Sequence, residues 1–175
     1  NQVLLQFLSI TSHALDGFAF SVEALVGQAY GARNRAQLRR SAILTSQWGL
    51  VVCVVLAAGF GAFGGTIIDL MAKAPEVQDT ARLYLIYLVV APLLGLAAYM
   101  YDGVFIGATR SRDMRNMMAV SLVIYGLAVA VLMPVMGNHG LWLALLISFI
   151  ARGITLAVRY PALERAIIDD SAARP

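Results

Sequence analysis

The sequence contains few charged residues and only one cysteine. Charged residues make up 13% of its 175 positions and hydrophobic residues 60%, whereas a soluble domain is about one quarter charged. We therefore expect a membrane protein. The single cysteine, Cys53, excludes a disulfide within the chain and a cysteine-based metal site. The HExxH, P-loop, GxSxG and CxxC motifs are also absent, so we predict neither an enzyme nor a bound metal or cofactor.

Three long stretches contain no charged residue at all, at 41–68, 83–101 and 116–151. A bilayer-spanning helix needs ~20 mainly apolar residues, and the third stretch is long enough for two, separated by the turn residues of MPVMGNHG. Residues before position 31 are apolar enough for another span if their titratable groups are sheltered. We predict an all-α, polytopic integral membrane helix bundle. Its five helices are expected at about 3–30, 41–68, 80–108, 116–134 and 140–158.

Arginine is concentrated in alternate connections. Cytoplasmic loops collect Lys and Arg, so we expect the C-terminus, including a tail at 166–175, in the cytoplasm and Asn1 on the outer side. The net charge of +3 is then explained by membrane topology, and we predict no binding of nucleic acid. Because the chain starts without Met and without a signal peptide, we expect at least one more helix before Asn1. The basic residues of these connections and of the tail are Arg33, Arg35, Arg39, Arg40, Arg110, Arg112, Arg115, Arg159, Arg165 and Arg174.

The first predicted helix carries a polar stripe at helical spacing. A charge at mid-bilayer costs between ~3 and ~15 kcal/mol, so acids on this stripe are expected to face a cavity or a partner. The alternative is that Asp16 and Glu23 lie near the headgroups and pair with Arg33 or Arg35. The imidazole of His13 is either a proton relay or a packed, hydrogen-bonded side chain. The stripe consists of Gln6, Ser9, His13, Asp16, Phe20, Glu23, Gly27 and Tyr30.

The third predicted helix has a similar face formed by Tyr84, Tyr87, Tyr99 and Asp102. Pro92 removes a backbone hydrogen bond from the middle of this helix and is expected to kink it. Asp102 is a second candidate for a functional acid, with pairing to Arg110 as the alternative. His139 has no supporting partner in the sequence and receives no role.

Both acid-bearing helices end in the same pattern. GQAYGAR and GVFIGATR each contain Gly-x-x-x-Gly, which permits close helix approach in lipid, followed by a basic loop. GAFGG at 61–65 supplies a third copy. The repetition suggests a duplicated helix pair, as is common in transporters.

Two stretches resemble a known family. HALDGFAFSVEALVGQAYGAR is similar to the second helix in the C-terminal lobe of multidrug and toxin extrusion (MATE) transporters, in particular the DinF-type branch. YMYDGVFIGATRSRDMRN is similar to the fourth helix of that lobe. The resemblance implies helices eight to twelve of a twelve-helix antiporter in a bacterial cytoplasmic (inner) membrane. Residues 1–165 would form part of the C-terminal lobe, and the N-terminal lobe would be a partner from the same polypeptide.

Such an antiporter exchanges an organic, often cationic, compound for protons or sodium ions. The resemblance aligns Asp102 with an acid that serves as a sodium ligand in a related branch, so Asp102 is the first coupling candidate. Asp16 and Glu23 match the DinF-type motif and are the next candidates. The side chains expected to line the cavity are Gln6, His13, Tyr84, Tyr87 and Tyr99.

Three other functions are alternatives to transport of an organic compound. A lipid-linked oligosaccharide flippase has a related architecture. A non-transporting scaffold would associate through its glycine faces and would tolerate neutralisation of Asp16, Glu23 and Asp102. An intramembrane aspartyl protease needs two close carboxylates, and the sequence before Asp16 lacks the Gly-x-Gly pattern usual in those enzymes.

Overall fold

The chain forms five long helices, as predicted. A computed structural model describes residues 1–172, with side chains described through Ile167, and these residues contain no strand. All five helices are long and apolar enough to cross a membrane, which confirms the all-α membrane bundle. They are α1 (Gln2–Gly31), α2 (Arg35–Met71), α3 (Pro75–Gly107), α4 (Ser111–Met136) and α5 (Asn138–Ala172).

The helices extend beyond their apolar sections. Helix α2 begins at Arg35, six residues before the predicted start, and Asn34 caps it by accepting a 2.9 Å hydrogen bond from the backbone N–H of Gln37. Helix α5 continues to Ala172, so residues 166–172 of the predicted tail are helical, and 173–175 lie outside the described residues. An uncharged run identifies only the part of a helix that lies in the apolar phase. The polar turns at its two ends lie outside that run, so the predicted helices are too short.

Successive helices run in opposite directions, so most arginines lie at one end of the bundle, here termed the basic end. Contacts between distant segments establish this arrangement. Arg35 binds Glu164 of α5 at 2.6 Å, and Arg110 donates a 3.1 Å hydrogen bond to the backbone carbonyl of Ala162. The alternation of basic connections is therefore a property of the fold, while the side of the membrane that this end faces stays a prediction.

Helix α3 lies at the centre and packs against each of the other four helices. Two apolar clusters surround it. The first, at the basic end, consists of Val22, Val26, Ala29, Leu38, Val104, Phe105, Ala108, Leu156, Leu163 and Ile167. The second, at the opposite end, consists of Leu4, Phe7, Phe60, Ile68, Ala81, Tyr84, Leu88 and Trp142. Helix α3 runs continuously through the buried Pro92, and a bend there stays a prediction.

Glycines of α3 bring α1 and α3 into backbone contact. A Cβ atom at Gly103 would overlap the carbonyl oxygen of Ala19, and one at Gly107 would overlap that of Glu23. In contrast, Cβ atoms at Gly61 and Gly65 would meet nothing within 4 Å. The Gly-x-x-x-Gly pattern of α3 is thus a helix contact, whereas that of α2 lies on an open surface.

The α4–α5 connection is a single glycine. Gly137 has φ +57° and ψ −132°, a conformation that side chains disfavour. A Cβ at Gly140 would overlap the carbonyl oxygen of Leu132, so the hairpin closes backbone to backbone. Helix α4 otherwise lies at the periphery, where Ser121 is its one buried residue.

The two similar helix ends fold alike. Arg33 and Thr109 have φ values of 54° and 57°, and the residue after each donates its N–H to the carbonyl five positions earlier, at 2.9 and 2.8 Å respectively. This is the Schellman geometry that ends many helices, usually with glycine in the left-handed position. The duplicated pattern in the sequence therefore corresponds to a duplicated backbone structure.

Replacing Thr109 by glycine should stabilise the protein by about 1 kcal/mol, because a β-branched residue is strained at positive φ. The free energy of unfolding in mixed detergent micelles measures this effect. The matched control is Thr66→Gly near the C-terminal end of α2 but still within the helix. This change should destabilise because glycine is a poor helix former. Destabilisation by both changes would contradict the assignment of strain to Thr109.

Candidate functional site

A carboxylate and a guanidinium meet inside the helix bundle. Asp102 of α3 and Arg152 of α5 form a two-point ion pair, in which Nη2 contacts Oδ2 and Nε lies 3.2 Å from Oδ1. The side chains of Asp102 and Arg152 are 13% and 26% exposed, respectively. A charge in such surroundings is stable only with a partner, and this pair joins two helices that are adjacent in space but distant in sequence.

Helix α1 adds polar groups beside this ion pair. The hydroxyl of Ser12 lies 2.8 Å from that of Tyr99, one turn before Asp102 on α3. The carboxylate of Asp16 lies close enough to act electrostatically on Asp102 and Tyr99. We refer to Ser12, Asp16, Tyr99, Asp102 and Arg152 as the polar cluster.

The polar cluster lies between the two apolar clusters. On each of α1, α3 and α5 its residues are flanked by members of the opposite-end cluster on one side and of the basic-end cluster on the other. With both acids ionised, its two carboxylates and one guanidinium carry a net charge of −1. A negative site enclosed by apolar layers attracts a cation, and its charge is screened less than a surface charge would be.

The ion pairs differ from the alternatives considered from sequence. Asp102 binds Arg152 rather than Arg110, whose Nε lies 3.3 Å from Asp113. Arg35 binds Glu164 instead of an acid of α1. The side chain of Glu164 is 8% exposed, and its Oε1 has no hydrogen-bond partner among the described residues.

The predicted residues of α1 spread along the helix. Asp16 joins the polar cluster, whereas Glu23 lies in a separate depression of about 380 Å³ beside Gly107. Gln6 is exposed three turns before Asp16. His13 is also exposed, and its Nδ1 lies 2.6 Å from the carbonyl oxygen of Ser9 within the same helix.

The predicted tyrosines of α3 separate into two groups. Tyr99 joins the polar cluster, but Tyr84 and Tyr87 lie at the opposite end of the bundle. There the Tyr87 hydroxyl lies 3.0 Å from Nδ1 of His139, and the rings of Tyr84 and His139 are 4.5 Å apart. His139, which received no role for want of a partner, is therefore part of an aromatic cluster that also includes Trp142.

Arg152 is the main site residue that the sequence analysis missed. It follows the uncharged run 116–151 and lies inside α5 with apolar residues on both sides. An arginine within an apolar span needs a partner, and that signal was available. Its side chain also lines a cavity of about 360 Å³ between α4 and α5, together with Tyr125 and Ser148.

The described residues contain no group of three or more His, Cys, Asp or Glu side chains that could hold a metal ion. In Asp102, both carboxylate oxygens contact Arg152. A sodium ion at Asp102 would therefore compete with the guanidinium for the same carboxylate oxygens.

Comparison with known proteins places these features in a family. The family model MatE matches residues 2–132, which include the α1 and α3 residues of the polar cluster. The chain belongs to the MatE family. It is also 42% identical to the DNA damage-inducible protein F of Escherichia coli (strain K12). The alignment spans 157 residues and covers 90% of this chain. No solved structure matches.

The family assignment confirms the resemblance to the DinF-type branch and the expectation that the chain is not an enzyme. The chain spans 34% of the length of this MatE relative. Five apolar helices and the family together identify a multi-pass membrane protein.

Proposed function

We propose that this MatE chain forms part of an efflux antiporter that exports an organic, cationic compound in exchange for protons or sodium ions. The observation that carries the proposal is the polar cluster, with its net negative charge between two apolar layers and its contributions from three helices. The neighbouring cavity of about 360 Å³ at Arg152 falls within the size range of small-molecule sites.

Asp102 is the proposed coupling group. In the resting state Arg152 is its counter-ion and holds α3 to α5. Binding of a proton or a sodium ion would compensate the Asp102 charge and weaken this attraction, which is about 4 kcal/mol at 4 Å for an effective dielectric constant of 20. Without this attraction between α3 and α5, a second arrangement of the helices becomes more populated. Ion binding thus shifts the equilibrium between two conformations of the bundle.

Asp16 supplies the second negative charge. With Asp102 paired to Arg152, Asp16 is the acid whose charge remains to attract a cationic compound. A cation at Asp16 and a proton or sodium ion at Asp102 would each reduce the negative charge experienced by the other. Exchange of one for the other is the antiport proposed here.

The remaining parts of the proposal concern location and partners. The chain would lie in a bacterial inner membrane with its basic end in the cytoplasm, because arginine is retained there. The polar stripe of α1, in which no residue is buried, would face a central cavity shared with the N-terminal lobe that the resemblance implies.

Export of an organic cationic dye from cells that produce the full-length protein tests this function. Asp102→Asn should reduce export to the rate of cells without the protein while membrane insertion remains normal. The matched control, Asp113→Asn at the surface near Arg110, should leave export unchanged. Normal export by a variant with Asp16, Glu23 and Asp102 all neutralised would exclude these acids from the export mechanism and contradict the proposal.

A further inference from the structure

A groove separate from the polar cluster lies among α2, α3 and α5. It encloses about 560 Å³, and most of its wall is apolar. Ile43 and Leu50 of α2 form one side, and Leu93 and Leu96 of α3 face them. The groove does not include any residue of the polar cluster, so its occupant is a separate question from coupling.

The end of this groove at the basic end is positively charged. Arg39 lines the groove, and it also lines an adjacent depression with Arg35 and Arg40. Arg35 is neutralised by Glu164, but among the side chains described, neither Arg39 nor Arg40 forms an ion pair. The first turn of α2 contains no acid, so the helix dipole adds to the positive potential.

The length of the groove matches one leaflet of a bilayer. Arg39 and Leu50 are eleven residues apart on α2, which is about 16 Å along a helix. The hydrocarbon core of a bilayer is about 30 Å thick, so one leaflet contributes about 15 Å. A molecule with an anionic head at Arg39 and an apolar chain reaching Leu50 therefore has the dimensions of a lipid.

We propose that this groove binds an anionic phospholipid. Its phosphate would lie between Arg39 and Arg40, and one acyl chain would extend along Ile43 and Leu93 toward Leu50. Two guanidinium groups that form no ion pair among the described side chains favour a headgroup of net negative charge over a zwitterionic one, whose ammonium they repel. Arginine clusters at the cytoplasmic end of membrane helices attract such lipids.

Native mass spectrometry of the purified full-length protein in detergent measures binding directly. The probes are phosphatidylglycerol, phosphatidylcholine with the same acyl chains, and glycerol 3-phosphate. Phosphatidylglycerol should bind roughly tenfold more tightly than phosphatidylcholine, and glycerol 3-phosphate should bind more weakly than either. Equal binding of glycerol 3-phosphate and phosphatidylglycerol would instead indicate a phosphate site. If none of the three probes bound, the groove would have another occupant. Either result overturns the proposal.

Two pairs of variants assign the binding to this groove. Arg39→Gln/Arg40→Gln should weaken phosphatidylglycerol binding roughly tenfold to thirtyfold, whereas the exposed pair Arg112→Gln/Arg115→Gln should have little effect. Leu93→Trp, which fills the groove, should displace the lipid.

Leu83→Trp is the control for that change, because it lies on α3 outside the groove and is 59% exposed. Equal losses within either pair would show that the lipid binds nonspecifically and would overturn the proposal.

Discussion

Replacing Gly103 by valine is expected to destabilise the bundle by at least about 3 kcal/mol, because the new side chain has no space. The carbonyl oxygen of Ala19 and the side chain of Val22 occupy the position of its Cβ atom. Backbone cannot move aside as a flexible side chain can, so α1 and α3 would separate and the basic-end apolar cluster would open. The free energy of unfolding in mixed detergent micelles measures the loss.

The matched control is Gly61→Val, in the Gly-x-x-x-Gly pattern of α2. A Cβ at Gly61 meets nothing within 4 Å, so we expect a change within about 0.5 kcal/mol. Equal destabilisation by the two variants would mean that loss of glycine itself, and not the α1–α3 contact, accounts for the effect.

Replacing Arg152 by methionine is the second change with a large expected effect. It leaves the carboxylate of Asp102 in the bundle without its counter-ion, which costs about 3–5 kcal/mol when a buried pair is broken. Unfolding in mixed micelles again provides the measurement. Arg159→Met, at an exposed position two turns further along α5, should have a far smaller effect.

A double-mutant cycle separates loss of the ion pair from loss of packing. The variant Asp102→Asn/Arg152→Met removes both charges of the pair and leaves neither without its partner, so it should recover most of the stability that Arg152→Met alone loses. If the two single changes were additive, Asp102 and Arg152 would not interact in the folded protein.

The number, type and order of the helices followed from the sequence, because an uncharged run of about 20 residues is a strong signal for a membrane helix. The helix ends did not. The sequence predicts Arg35, Arg39 and Arg40 in a connection, yet they lie on the first turns of α2. Charge marks where a helix leaves the apolar phase, whereas the hydrogen-bonded cap at Asn34 marks where the helix begins.

The site was predicted in part. Helical spacing placed Tyr84, Tyr87, Tyr99 and Asp102 on one face of α3, but a helix of this length places the first two near the opposite end. A shared face is therefore not a shared site. Conversely, residues far apart in sequence can share a site. His139 contacts Tyr87, which is 52 positions away, and no local sequence pattern predicts such a contact.

The glycine patterns of the sequence also did not show which helices are in contact. The three Gly-x-x-x-Gly copies have identical spacing, and spacing alone does not identify a partner helix. The structure shows Gly103 and Gly107 against the backbone of α1, and a Cβ atom added at Gly27 would lie 3.3 Å from the carbonyl oxygen of Gly107. The surface complementary to a glycine stripe depends on the neighbouring helix and becomes visible only in three dimensions.

Ion flux driven by the organic substrate tests the coupling role of Asp102 most directly. Full-length protein is reconstituted into vesicles loaded with an organic cation, and movement of protons and sodium ions is followed with dyes trapped inside. The wild type and Asp113→Asn should exchange the organic cation for one of these ions, whereas Asp102→Asn should show no ion flux above that of empty vesicles. The same number of ions exchanged per organic cation in wild type and Asp102→Asn would contradict the account.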